Sequence, residues 1–397
     1  MALTIHDNPV NYTPSGNPVV WTFSSDQTAQ ANFSYLVEVY VGGTLRGRQQ
    51  IFPGNGIYGR IDVSGYAETY TFPPTLSNSF VVDAANYNEV YITIIERYGD
   101  PIADGATLTS SAYTVFKSKQ TDTDFINWDP ALYTMQPFAP PSGVSWLTNF
   151  PSSTSEYYKV GEAETARVMG ISNERANNVI IETYDENLTP IGGGTFAVPT
   201  HKVLIFNVSQ AAIISGTTIT VGDLAAAYYF SLRMEDTVAT VTSNFMYFQI
   251  DRECKTDTAK RVHYLSTLGS FESFTYRLYS NEKGNIKGSR YEREFGTWNG
   301  SSFQFNLNRG RTVDYMKTLN KDLLLRSDWL SQEIQNWLEN ELGPSPLVYI
   351  EDRNDTPLSL RRVASKKSSF TLKTTRQDTQ FREDLLLVLE RFTSTTI

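Results

Sequence analysis

NFSYLVEVYVGGTLRGRQQIFPGNGIYGRIDVSGYAETYTF, residues 32–72, reads as an alternating strand, a Gly-Gly turn, a second strand, a Gly/Pro loop and a short buried segment around Ile61-Asp62-Val63-Ser64. The Gly42-Gly43 pair readily supplies the positive φ of a hairpin turn. A weaker copy of this order returns at 178–214, as NVIIETYDENLTPIGGGTFAV, a break, and KVLIFNVSQAAII. Val37-Glu38-Val39-Tyr40 lines up with Ile181-Glu182-Thr183-Tyr184 at an offset of 144, and Asp62-Val63-Ser64 with Asn207-Val208-Ser209 at 145. A drift of one residue over that distance points to two copies of one supersecondary unit, and such internal repetition constrains a fold before any single motif does.

Working outward, Asn17–Ser25 opens the first copy as a strand with Val19, Trp21 and Phe23 alternating. Asn88–Tyr98 is a longer strand ended by Gly99-Asp100-Pro101, and Ala112–Lys117 closes the set. Six or seven short strands in about 100 residues suggest an immunoglobulin- or fibronectin III-like sandwich over 1–118. The second copy follows in the same order over 156–252. Thr165–Ser172, 178–184, 191–198, Tyr228–Glu235 and Asn244–Ile250 are its strands. Offsets shrink to about 138 and then 134, as loops vary in length while strands persist. Between the copies, 119–155 is too rich in proline for a sheet interior and too aromatic for a free linker. It is expected to be an ordered strap on the domain surfaces.

Residues 253–397 depart from the pattern and suggest an α+β domain. RSDWLSQEIQNWLENEL (326–342) is the clearest helix in the chain. Leu330, Ile334, Trp337, Leu338 and Leu342 fall on one face, Ser327 or Asp328 can cap a helix spanning about 328–342, and Gly343-Pro344 stop it. Strands are expected at 273–279, 289–295, 303–307, 347–351, 358–363 and 369–373. FREDLLLVLERF (381–392) suits an amphipathic helix or a buried strand, and strand is preferred.

Composition bounds the function. The chain has 397 residues, 40% hydrophobic and 13% aromatic, which suits a folded protein rich in strand formers. Charge is uneven. Residues 1–252 hold 12 Lys/Arg against 24 Asp/Glu, and 253–397 hold 22 against 19. An acidic front argues against wrapping nucleic acid there, since phosphate binding needs clustered cations. One cysteine, Cys254, excludes an internal disulfide framework. The opening MALTIHDNPVNY has neither a basic nor an apolar region, so no secretory signal is expected, and no apolar run approaches the ~20 residues of a membrane-spanning helix.

Chemistry-bearing motifs are few. His6, His201 and His263 stand in three different regions without metal spacing. No Gly-x-Ser-x-Gly elbow is present. Gly192–Gly194 lacks the Gly-Lys-Ser/Thr of a phosphate loop and reads as a strand bulge or turn. Asp122/Asp124 and Asp352/Asp355 carry oxygen ligands at spacings that Ca²⁺ can use, although ordinary loops carry them too. Paired carboxylates for glycoside cleavage have no local signature. No catalytic residue, metal or cofactor is expected. Candidate contact residues are Trp128, Trp146, Trp329, Arg309, Arg311, Arg361 and Arg362, because large aromatics and arginines concentrate at interfaces. Trp337 reads as core.

The run Trp146-Leu147-Thr148-Asn149-Phe150-Pro151, the stretch Tyr264 to Phe274 (YLSTLGSFESF), and the helix followed by Ser345-Pro346-Leu347-Val348-Tyr349-Ile350-Glu351 resemble a virion protein type of phages of Bacteroidota, the crAss-like phages above all. Asn17-Pro18-Val19-Val20 with Arg60-Ile61-Asp62-Val63-Ser64 is similar to the amino-terminal sandwich of that type. The resemblance implies a non-enzymatic component of the tail, collar or ring below the portal. It would be present in symmetric copies that contact one another and neighbouring portal-proximal proteins, with assembly in the bacterial cytoplasm and no specific nucleic acid or membrane binding. Related architectures occur in tail fibres, so a receptor- or carbohydrate-binding fibre is the alternative.

Overall fold

The computed structural model describes residues 3–54, 56–136, 143–151, 157–161, 164–175, 177–236, 241–252, 259–294, 296–305, 311–352, 359–366 and 384–395. It is mainly β, with several sheets that hold 51% of the described residues and helices that hold 11%. Two compact units divide it. One holds residues 1–252 with 265–273; the other holds 253–264 with 274–397.

In the first unit, the alternation of residues 34–41 builds the central strand of a sandwich. One sheet runs β2 (Thr13–Pro14), β10 (Tyr113–Phe116), β8 (Tyr87–Tyr98), β4 (Ser34–Val41), β5 (Thr44–Ile51), with β9 (Ala103–Thr109) also on β8. The facing sheet is β1 (Thr4–Asp7), β3 (Val20–Ser24), β6 (Tyr58–Asp62). Inward residues of both, Val19, Trp21 and Phe23 against Tyr35, Val37, Val39, Ile92 and Ile94, form one core. Each such side chain stabilises the fold by roughly 1.5–3 kcal/mol when fully buried.

The second sandwich pairs its strands the same way. Its larger sheet is β11 (Tyr158–Gly161), β17 (Met246–Asp251), β16 (Tyr229–Asp236), β13 (Asn177–Tyr184), β14 (Pro190–Ala197). Thus β13–β14 answers β4–β5, β16 answers β8, β17 answers β10, and the parallel partner β11 answers β2. The smaller sheet, β12 (Arg167–Ile171) on β15 (Val203–Asn207), answers β3 on β6. Even the turn into the following helix recurs. Asp62 Oδ1 accepts the Ser64 amide before α1 (Ser64–Tyr70), and Asn207 Oδ1 accepts the Ser209 amide before α3 (Gln210–Gly216), at 2.9 and 3.0 Å.

Two features of this unit lie beyond any local pattern. β7 (Val81–Asp83), which comes from the first half of the chain, adds to β15 and completes the second sandwich's smaller sheet. The strap also differs from expectation. It begins with α2 (Asp122–Ile126) and a 3-10 turn at Pro130–Leu132, but Val144, Trp146 and Leu147 are buried rather than laid on the surface. Leu147 joins Met169, Ile171, Val203 and Ile205 in a second core cluster. Residues 265–273 return to the same unit, where Ser118 Oγ donates to the Thr267 carbonyl and Thr148 Oγ1 to Glu272, at 2.5 and 2.6 Å. A further short helix, α4 (Val221–Ala226), precedes β16 and is started by a Thr220/Asp223 capping box.

The second unit is one seven-stranded antiparallel sheet with a helix. Its strands are β18 (Lys260–Leu265), β19 (Phe271–Tyr276), β20 (Tyr279–Glu292), β23 (Thr312–Arg326), β24 (Val348–Asp352), β25 (Ser359–Ser365) and β26 (Asp384–Thr395), in the order β19-β18-β24-β25-β26-β23-β20. The segment that suited helix or strand is therefore strand. A two-stranded ribbon, β21 (Gly296–Trp298) with β22 (Phe303–Phe305), lies between β20 and β23. The helix α5 (Gln332–Glu341) starts later than expected. Ser331 Oγ caps the Ile334 amide, whereas Ser327 is buried with its hydroxyl on the Asp328 carbonyl. Ile334, Trp337 and Leu338 form its buried face, and Trp337 meets Tyr264 and Phe274 with ring centroids 5.8 and 6.5 Å apart. The expected strand at 369–373 lies outside the described residues.

Candidate interaction surface

Two surfaces stand out among the described residues. The first is the outward face of the larger sheet in each sandwich. In the first sandwich, Glu38 and Tyr40 project from β4 with one residue between them, so both point away from the core. The Tyr40 hydroxyl donates to Glu38 Oε2 at 2.8 Å, and Tyr40 stacks on Tyr91 at 4.7 Å. Arg48, directly opposite Glu38 on β5, closes the group by donating from Nε and Nη2 to Glu38 Oε1, both at 2.7 Å. That bond to the carboxylate raises the Tyr40 pKa above its ordinary value.

The second sandwich repeats the pair. Tyr184 donates to Glu182 Oε2 at 2.6 Å and meets Ser231 at 3.2 Å. Burial first, then the Glu182 bond, pushes the Tyr184 pKa up to about 12. Tyr184 faces Tyr229 across β13–β16, and Tyr157, Phe245 and Tyr247 extend the row, with centroid separations of 4.8 Å for Tyr157–Tyr229 and 6.1 Å for Tyr184–Tyr247. Tyr247 is 39% and Phe245 36% exposed. Opposite Glu182 on β14, however, stands Gly193. Arg233 on the same face lies over the Phe245 ring and 3.8 Å from Glu235. Among the described residues no cation pairs with Glu182.

The second surface is a hairpin arm, β20 with β23, in register from Tyr279↔Arg326 to Glu292↔Thr312. β20 is an outer strand whose residues are exposed on nearly every position. The ribbon at its far end leaves Trp298 66%, Phe303 45% and Phe305 70% exposed. Asn299 Oδ1 holds the ribbon's turn by accepting the amides of Ser301 and Ser302. From the sequence alone, strands are expected here only at 289–295 and 303–307. Along β20, where neither face is buried, there is no period-two signal to read.

The residues singled out from sequence belong to both units. Trp146 is 4% exposed, donates its indole N–H to the Asn244 carbonyl at 2.8 Å and meets Phe206 edge-on. Its surface is therefore used inside the unit, which leaves it no role as an outward anchor. Trp128 is half-buried, stacked on Tyr133 and donating to the Tyr12 carbonyl at 3.2 Å. Trp329 is 56% exposed. Arg311 is exposed on the arm, 3.1 Å from Glu292; Arg309 lies outside the described residues. Arg361 and Arg362 are exposed on β25, Arg361 donating to the Leu389 carbonyl.

The other motifs resolve locally. Asp124 accepts from Thr121, which caps α2, so the Asp122/Asp124 pair belongs to a helix start. Residues 353–358 and Cys254 lie outside the described residues. Gly192–Gly194 are strand, beside a bulge at Thr183/Tyr184. His6 meets Ser24, His201 lies 3.6 Å from Asp83, and His263 is buried against Glu351 at 2.8 Å. Among the described residues no group of three or more His, Cys, Asp or Glu is placed to hold a metal, and no helix is long and apolar enough to cross a membrane. The Glu182 face was within reach of sequence reasoning, because the repeat itself aligns Glu38-x-Tyr40 with Glu182-x-Tyr184. What that alignment cannot supply is the register that opposes Arg48 to one carboxylate and Gly193 to the other. No protein-family model and no curated protein matches the chain.

Proposed function

We propose that this protein is a non-enzymatic structural subunit of a bacteriophage virion, a tail or collar ring component. Its two sandwiches, of immunoglobulin/fibronectin III-like type, together with its arm pack against copies of itself and against neighbouring tail or portal-proximal proteins. The arm is the observation that carries this reading. A 14-residue outer strand exposed on both faces, with Trp298, Phe303 and Phe305 largely exposed beyond it, is costly to leave in water. Long unpaired edges and contiguous apolar patches mark surfaces that another chain covers. The acidic front and mildly basic back add electrostatic complementarity between copies, and assembly would take place in the host cytoplasm before the subunit enters the particle.

Electron microscopy of intact particles carrying a labelled subunit tests the proposal. Label at the tail or collar in a cyclic array is expected; particles complete without the protein would refute it. A second reading, a glycan-binding fibre protein, draws on the tyrosine row around Glu182, since sugar rings stack on aromatics flanked by a carboxylate. It requires saturable oligosaccharide binding and a trimeric fibre rather than a larger ring.

A further inference from the structure

We propose that the tyrosine-framed Glu182 of the second sandwich receives an arginine from the hairpin arm of a second copy, seating the arm's aromatic tip on the tyrosine row. The inference rests on the reading of the chain as an assembly subunit and names the contact that reading leaves open.

The duplicated fold supplies the argument. The first sandwich shows what a Glu-x-Tyr pair on this face accepts, because Arg48 grips Glu38 through two nitrogens at 2.7 Å while Tyr40 holds the other carboxylate oxygen. A guanidinium suits a carboxylate bordered by aromatic faces, since it bonds in its plane and stacks across it. The second sandwich keeps the carboxylate and the tyrosine but cannot carry the arginine in the matching register. Gly193 has φ +155°, and a Cβ there would lie 2.5 Å from the Ile181 carbonyl oxygen. A side chain at that position is excluded, and the absence of side chains at Gly192, Gly193 and Gly194 leaves the border of the site low enough for another chain to reach over.

Charge and composition select the occupant. Residues 279–326 hold nine Lys/Arg against five Asp/Glu, whereas the front of the chain carries an excess of twelve acidic residues. Arg293 and Arg311 flank the base of the tip and are exposed, joined through the Arg293 amide and the Arg311 carbonyl at 2.9 Å. Trp298, Phe303 and Phe305 beyond them present rings to meet Tyr157, Tyr229, Phe245 and Tyr247.

Sedimentation velocity of the full chain over a concentration series in low salt tests this, with far-ultraviolet circular dichroism to verify folding of each variant. Wild-type protein is expected to associate, and Glu182→Gln, which keeps the shape and the Tyr184 contact, is expected to weaken association at least tenfold. The double change Arg293→Glu with Arg311→Glu is expected to do the same, and combining it with Glu182→Arg to recover much of the loss. Glu38→Gln, whose carboxylate is already satisfied, is expected to shift association less than twofold. Unchanged association in Glu182→Gln would overturn this contact and leave the assembly reading standing. A wild-type protein that stays monomeric throughout would overturn both. Saturable oligosaccharide binding lost in Glu182→Gln, with self-association unaffected, would overturn the contact in favour of a sugar site.

Discussion

The two sandwiches share a strand order and a Glu-x-Tyr pair, yet they differ at one cross-strand neighbour, Arg48 in the first and Gly193 in the second. One sheet closes its outward carboxylate with its own edge strand. The other leaves the carboxylate among tyrosines beside an edge of glycines. Duplication therefore preserves what the core and the pairing require, while the largely exposed edge strand is freer to change. The difference also separates two tasks, a face finished within the chain and a face open to a partner.

The largest effect expected concerns how each core is filled. Trp21 is carried by its own strand, whereas Trp146 reaches the second sandwich from the strap. If both are equally integral, Trp21→Ala and Trp146→Ala each cost about 3–5 kcal/mol in denaturant unfolding. A loss below ~1 kcal/mol for Trp146→Ala would return the strap to the surface and break the parallel.

A smaller effect sharpens the edge contrast. Gly193→Ala forces a Cβ against the Ile181 carbonyl at a positive φ and is expected to cost about 1–3 kcal/mol. The matching Arg48→Ala removes only a partly exposed ion pair, worth roughly 0.2–1 kcal/mol. Equal costs in the same unfolding assay would mean that Gly193 is not constrained by its backbone.

The smallest effect is a pH dependence. Tyr184 holds its proton in the folded state to about pH 12, while an unfolded tyrosine releases it near 10. Between those values the unfolded chain binds fewer protons, so stability is fully present below pH 10 and falls as pH rises toward 12. Tyr184→Phe is expected to flatten that alkaline decline. Tyr40→Phe should flatten it less, because Tyr40 is raised first by its bond to Glu38 and only second by burial, which comes first for Tyr184. Unfolding free energies measured from pH 9 to 12 for both variants decide the point; indistinguishable slopes would make the two tyrosines equivalent.

Much of this architecture was legible in the chain. Val37, Val39 and Val41 alternate because one face of β4 is buried, and the same period recurs at Val179 and Ile181. The α5 face is equally plain at Ile334, Trp337 and Leu338. Where burial is lacking, legibility fails. The outer arm strand β20 carries no alternation, and the buried Leu323 and Leu325 of β23 are too few to mark a strand running from Thr312 to Arg326. Ser327 looked like a helix cap until burial committed its hydroxyl to the Asp328 carbonyl. Among the candidate contacts, Trp146 is buried where an outward position is expected, because a proline-rich neighbourhood says nothing about whether a segment threads into a core.

The sequence by itself determined the duplication, the mainly β class, the hairpins and the acidic front, since each is written in local periodicity, turn residues or composition. Only the tertiary structure decided that Val81–Asp83 completes the other sandwich's sheet, that Trp146 lies inside, and that Glu182 faces Gly193 where Glu38 faces Arg48. Those depend on which distant strands pair and in what register, and that is fixed by the summed burial of the whole unit, which no short stretch contains.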